Sequence, residues 1–137
     1  MVDIEAIKLP GDKVQLMDEV VFHIVSKSRW LDAAEVGTYE PEHYDAEGFI
    51  HLSRRGQIQR PANLLYRGQS DLILLEIRVD ALTAELRYEP GSHGEDELFP
   101  HLYGLLNNDA VVALHEFPCA ADGSFELPST VTNPGRG

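Results

Sequence analysis

Val20-Val21-Phe22-His23-Ile24-Val25 is a continuous apolar run of strand length, rich in branched residues and broken by one polar side chain. Such a run reads as a strand buried on both faces of a sheet. A buried imidazole needs partners for its nitrogens, so His23 is either tied to backbone or placed for a ligand. Ser26 or Ser28 can cap a following helix through Trp30, Leu31, Ala33, Ala34 and Val36, with Gly37 as its positive-φ stop. A second run, Leu72-Ile73-Leu74-Leu75-Glu76-Ile77-Arg78-Val79, passes from fully apolar to alternating, as a strand does on leaving the middle of a sheet.

Between them lies Gly48-Phe49-Ile50-His51-Leu52-Ser53. Side chains alternate along a strand, so Phe49, His51 and Ser53 share one face and Ile50 and Leu52 the other. An imidazole and a hydroxyl presented together behind a glycine are a way to line a cleft, and equally the end of a core strand in a helix cap. Ser53 is placed to cap a helix with Ile58, Ala62, Leu65 and Tyr66 on its apolar side, and Pro61 moves its regular part to about Gln59 or Arg60. Arg67-Gly68 closes it.

The stretch from Tyr39 to Glu47 reads as a polar, acidic loop across the mouth of a cleft, with His43 exposed. Leu86-Arg87-Tyr88 is a short strand. Residues from Glu89 to Glu97, with Pro90, Gly91 and Gly94, have the composition of a mobile loop. It runs into Leu98-Phe99-Pro100-His101-Leu102-Tyr103-Gly104, an aromatic and imidazole patch expected on irregular backbone and sheltered from solvent. Val111 to Phe117 is a further strand and Gly123 to Leu127 another candidate. The order predicts a single α+β domain of about six strands, with helices early and sheet late. Its expected limits are residues 20–127, after an N-terminal extension (1–19) and before a flexible polar tail (128–137).

A chain of 137 residues holds one core rather than two. Its 43% hydrophobic and 25% charged residues are those of a globular protein. No apolar run approaches the ~18–20 residues that span a bilayer, and the first residues lack the basic start of a signal peptide, so a soluble, cytoplasmic protein is expected. The one cysteine, Cys119, forms no internal disulfide and builds no metal cage. A net charge of -12 repels polyanions, which argues against general nucleic-acid binding. Lys27, Arg29, Arg54, Arg55, Arg60 and Arg67, six of the 11 basic residues, nevertheless flank the central stretch, where forked guanidinium groups could hold a small anion or could simply face solvent.

The segments VVFHIVSKSRW, EGFIHLS, LLYRGQSDLILLEI and ELFPHLYG, in this order and spacing, resemble the bacterial family called domain of unknown function 952 over roughly residues 20 to 117. That family is grouped with the ADP-ribosyltransferase-like proteins, which split the nicotinamide-ribose bond of NAD, and the His-Leu-Ser also resembles a motif of the RNA 2'-phosphotransferases. The resemblance implies an ADP-ribosyltransferase-like fold with NAD or a related nucleotide as ligand. It implies that His23 bonds the ribose, that His51 and Ser53 form the second motif, and that Tyr66, Phe99 or Tyr103 stacks on nicotinamide. It makes Glu97 the acid that steadies the oxocarbenium-like transition state.

The residues themselves allow this chemistry. Positive charge developing on a ribose is best met by a carboxylate in a water-poor site, for which Glu97 and Glu76 are the candidates. The diphosphate wants cations, and Arg29, Arg54 and Arg67 are nearest. His101 joins the ligand-binding set. A zinc site of His23, His51 and His101 gets no support from spacing. A Ser53–His51 hydrolase fails on reach, since residues two apart on a strand face are about 7 Å apart. The other class of answer is a non-catalytic module that binds a nucleotide-like ligand, or a partner through the Phe99–Tyr103 patch. A Glu97 facing solvent favours that module; a Glu97 sharing a pocket with His23 and His51 favours the enzyme.

Overall fold

The computed structural model of the chain describes residues 19–41, 44–91 and 96–132. Its elements are β1 (Val20–Ser26), α1 (Lys27–Val36), β2 (Thr38–Tyr39), α2 (Tyr44–Glu47), β3 (Ile50–His51), α3 (Gln59–Leu65), β4 (Leu72–Arg78), β5 (Glu85–Pro90), β6 (Leu98–Tyr103), β7 (Leu106–Asn107), β8 (Val111–Glu116) and α4 (Ser129–Thr132). The architecture is α+β, and the eight strands among the described residues exceed the six expected.

The strands form three antiparallel sheets, β1-β4-β8, β2-β7 and β3-β6-β5. In the first, β1 and β4 are buried on both faces, as their apolar runs require, while the edge strand β8 exposes Val112 and Leu114. Val21, Val25, Ile73, Leu75 and Ile77 enter one core cluster. Phe22, Ile24, Leu72 and Leu74 enter the other, with Ile58, Ala62, Phe117, Phe125 and Val131. Period-two alternation thus sorts one strand's residues between two cores.

The helix after β1 begins and ends as expected. Ser26 Oγ accepts from the Arg29 amide at 3.3 Å, and Gly37 at φ 100° closes the helix through a bond to the Ala33 carbonyl. Only Trp30 of this helix is buried, and Leu31 and Val36 face solvent.

Four expectations are corrected. Leu98–Tyr103 is not irregular backbone but β6, the middle strand of its sheet, and β5 extends through Glu89 and Pro90 of the expected loop. Pro90 with Gly91 beside it, and Pro100, look like turn chemistry in sequence, yet sheet pairing on both sides of β6 overrides that preference. Residues 92–95 of the loop lie outside the described residues. Ser53 caps no helix: its backbone makes a two-way bridge with Phe22, at 2.7 and 2.8 Å, and a 3-10 turn at Arg55–Gln57 precedes α3. The stretch from Gly123 to Leu127 is not a strand, although Phe125 is buried against Phe117.

Within the expected tail, Val131 is fully buried and its carbonyl accepts from Arg55 Nε at 2.9 Å. Nearby, buried His115 is satisfied at both ring nitrogens, by Glu76 Oε1 at 2.7 Å and Thr130 Oγ1 at 2.8 Å. Glu76 is committed there, on the face of β4 turned from His23. Residues 1–18 of the expected extension, His43 and residues 133–137 lie outside the described residues. Among the described residues no helix is long and apolar enough to cross a membrane.

Candidate ligand cavity

Among the described residues, an isolated backbone bridge joins Phe22 of β1 to Ser53, two residues beyond β3, and no longer ladder pairs the two sheets. A cavity of about 530 Å³ opens beside this bridge, within the range of small-molecule sites. The sheet β3-β6-β5 is two-faced. Ile50, Leu52 and Leu102 enter the first core, while Phe49, His51, Phe99, His101 and Tyr103 occupy the other face.

His23, His51 and Ser53 line the cavity, as the strand pattern suggested, and so do Arg29, Tyr66, Phe99 and His101. His23 plugs the gap between the sheets. Its Nδ1 lies 2.8 Å from the His51 carbonyl oxygen, which can only accept, so Nδ1 carries the proton. In the neutral ring Nε2 is therefore an acceptor, and the Tyr39 hydroxyl donates to it at 2.9 Å. Burial lowers the His23 pKa from 6.5 to about 4, and burial likewise raises that of Tyr39. Both nitrogens of His23 are occupied within the protein. Of the two readings for this residue, the tie to backbone is met, and the acceptor left for a ligand in this corner is the Tyr39 oxygen.

Glu47 and His51 face each other at the cavity edge, with Nε2 2.9 Å from Oε1 and both side chains about half exposed. Gly48, at φ 82°, makes this possible by turning the chain sharply from α2 into β3. Deeper in, His101 is 3% exposed and lies opposite His51 in the β3–β6 register, the rings 5.4 Å apart and nearly perpendicular. Its Nδ1 is 2.9 Å from Glu89 Oε1, which also accepts from the Tyr103 hydroxyl at 2.7 Å. The Tyr103 hydrogen bond, then that of His101, holds the Glu89 carboxyl below its ordinary range. Phe49 stacks on the His101 ring at 4.2 Å, and Arg87 covers Tyr103 from outside at 4.3 Å.

Four expected site residues are not on the lining. Glu97 is exposed, and its Oε2 accepts from Gln57 Nε2 at 2.8 Å. Arg54 lies over the Tyr88 ring, Arg67 is exposed, and Tyr103 stands behind Phe49. Of the basic cluster only Arg29 lines the cavity, while Lys27 pairs with Glu116 at 3.1 Å.

Tyr39, Glu47 and Gln69 were missed. Glu47 carried one signal in the sequence, an acid before the glycine that opens the His-Leu-Ser motif. Tyr39 carried none, because a lone aromatic in a polar loop gives no hint of a histidine 16 positions away. No group of three or more histidine, cysteine or acidic residues among the described residues is placed to hold a metal ion.

The geometry defines an α+β domain with a ligand-sized cavity beside the bridge between two sheets. The chain belongs to the DUF952 family of proteins of unknown function, whose profile matches residues 24–114. It is similar to protein CC0527 from Caulobacter crescentus. The crystal structure of that protein, and that of a double mutant of it, each superpose with a TM-score of 0.74 at 32% identity over 82% of this chain and 98% of theirs. The solution structure gives 0.66 at 34% identity, over 77% of this chain and 90% of its own. No curated protein matches the chain.

Proposed function

We propose that the cavity binds a small nucleotide-like molecule, with NAD or its ADP-ribose portion as the first candidate, in an ADP-ribosyltransferase-like domain. The observation that carries the reading is convergence. Side chains from β1, α1, β3 and β6 meet around one 530 Å³ space, with an aromatic ring, a guanidinium and several hydrogen-bonding groups on its walls. Arg29, in the first turn of α1, suits a diphosphate oxygen. Phe99 and Tyr66 both line the space and offer apolar surface for a planar ring. Tyr103 is the weakest of the three stacking candidates, since it is held behind Phe49.

Transfer of ADP-ribose is the second reading, and the position of Glu97 weighs against it in its expected form. If the chain does transfer ADP-ribose, Glu47 on the lining is better placed than Glu97 to meet charge on the ribose. The binding reading therefore ranks first.

Calorimetric titration with NAD and with ADP-ribose tests it, in the wild type and in His51→Ala. The substitution keeps the backbone carbonyl that holds His23, so a folded variant is expected. Micromolar affinity, about -8 kcal/mol, that the variant loses is the expected result. Absence of binding to either ligand by folded wild-type protein overturns the proposal.

A further inference from the structure

We infer that Tyr39 sets the specificity of the cavity, its hydroxyl oxygen accepting a hydrogen bond from a ribose hydroxyl of the bound molecule and so selecting a ligand with a donor at that position. The inference rests on the nucleotide-like reading of the site and adds to it the contact that discriminates among ligands. The ribose expected on His23 falls instead to its neighbour.

Chemistry fixes the direction of each hydrogen bond in this corner. The His51 carbonyl oxygen has no proton to give, so the proton of the His23 ring sits on Nδ1, 2.8 Å away. Nε2 then holds a lone pair, and the Tyr39 hydroxyl, 2.9 Å from it, is the donor. A phenol carries one proton. With that proton given to His23, the Tyr39 oxygen meets any third group only as an acceptor. Both side chains keep the states this needs at pH 7. Burial lowers the His23 pKa to about 4, and burial, opposed in part by the charge of Arg29, raises that of Tyr39.

The polarity is also held in place by the fold. The three groups come from three sheets: His23 from β1, the His51 carbonyl from β3, and Tyr39 from β2, where it pairs with Leu106 of β7. The Tyr39 ring packs in the first core, 2% exposed, with its centre 5.1 Å from that of the His23 ring. Reversing the chain of bonds would set the bare Nδ1 against a carbonyl oxygen, two acceptors facing each other in a buried place. Both rings line the cavity, so its wall carries an acceptor of fixed direction.

Arg29 brings the matching part of the ligand to it. Arg29 and Tyr39 share the lining, and the Arg29 charge acts on the Tyr39 hydroxyl. A diphosphate at Arg29 is one methylene from a ribose ring, whose hydroxyls each have a proton to give. A hydrogen or a methyl ether in place of that hydroxyl gives none. A site built to bond a hydroxyl rejects the analogue that lacks it, because the buried partner is then left unmet.

Calorimetry with ADP-ribose, and with analogues of it that each lack one ribose hydroxyl, tests the inference. For wild-type protein one analogue is expected to bind roughly 10-fold more weakly than ADP-ribose. In Tyr39→Phe, ADP-ribose is expected to fall to the affinity of that analogue, and the analogue itself to change little. A role of Tyr39 in folding alone would weaken all the ligands alike, so the coupling between residue and hydroxyl is the decisive quantity. Nitrogen NMR of histidine-labelled wild type gives a readout that needs no variant, with the His23 proton expected on Nδ1. Equal affinity of wild type for every analogue and ADP-ribose overturns the inference and leaves the ligand reading standing. So does discrimination that survives in folded Tyr39→Phe, or a His23 proton on Nε2. Failure of wild type to bind ADP-ribose or NAD overturns the ligand reading and the inference with it.

Discussion

Replacing His23 by asparagine should flatten the dependence of stability on pH in mild acid. Burial holds the folded-state pKa of His23 at about 4, against 6.5 for an imidazole in an unfolded chain. Above pH 6.5 the ring is neutral in both states and its contribution is fully present. As the pH falls from 6.5 toward 4, the unfolded chain takes up a proton that the folded protein refuses, so stability falls with pH. Below about pH 4 both states are protonated and the loss is complete. At about 1.4 kcal/mol per pH unit, the full window is worth roughly 3 kcal/mol. The carboxylates held below their ordinary range, Glu85 through Arg87, Glu89 through Tyr103 and His101, and Asp122 through Ser124, act at the acid end, and subtracting the variant's curve removes them.

Asparagine can still donate to the His51 carbonyl but cannot titrate. It is expected to be less stable at pH 7 and to lose less between pH 6.5 and 4.5. The assay is urea denaturation at half-unit pH steps, with the m-value checked for constancy. Parallel curves for wild type and His23→Asn across that interval would refute the argument that His23 is buried neutral.

Two other substitutions test neighbouring parts of the account. Tyr39→Phe removes the donor to His23 Nε2 and leaves a buried acceptor unmet, so urea unfolding should show a loss of about 1–3 kcal/mol at pH 7, and an unchanged midpoint would contradict the bond. Gly104→Ala should lower the melting temperature by roughly 5–10 °C in a thermal scan. Gly104 is at φ 152°, and an added Cβ would meet the Ala84 Cβ at 2.6 Å, so wild-type stability in this variant would argue against so close an approach of the two segments.

Much of the framework was legible in the residues. The runs at Val20–Val25 and Leu72–Ile77 became the paired core strands β1 and β4, and the Ser26 and Gly37 signals bounded α1. Gln59 proved to be the start of α3, with Pro61 in its first turn. Local rules failed where sheet pairing outweighed them. Pro100 and its neighbours looked like loop, yet β6 is paired on both sides. Ser53 looked like a cap, yet its backbone groups are taken by Phe22.

The sequence by itself determined which strands are buried on both faces, where a polar face must be sheltered, and that His51 and Ser53 share that face, because these follow from apolar content and a period of two. Which polar groups meet was decided only by the tertiary structure. Glu47 reaches His51 through a glycine turn, Tyr39 reaches His23 from another sheet, and Glu89 reaches His101 across a strand pair. Glu97 is drawn away to Gln57 instead. Hydrogen bonds act over about 3 Å, whereas their partners here are up to 40 positions apart in the chain, so the pairing is set by how the sheets part and not by the order of residues.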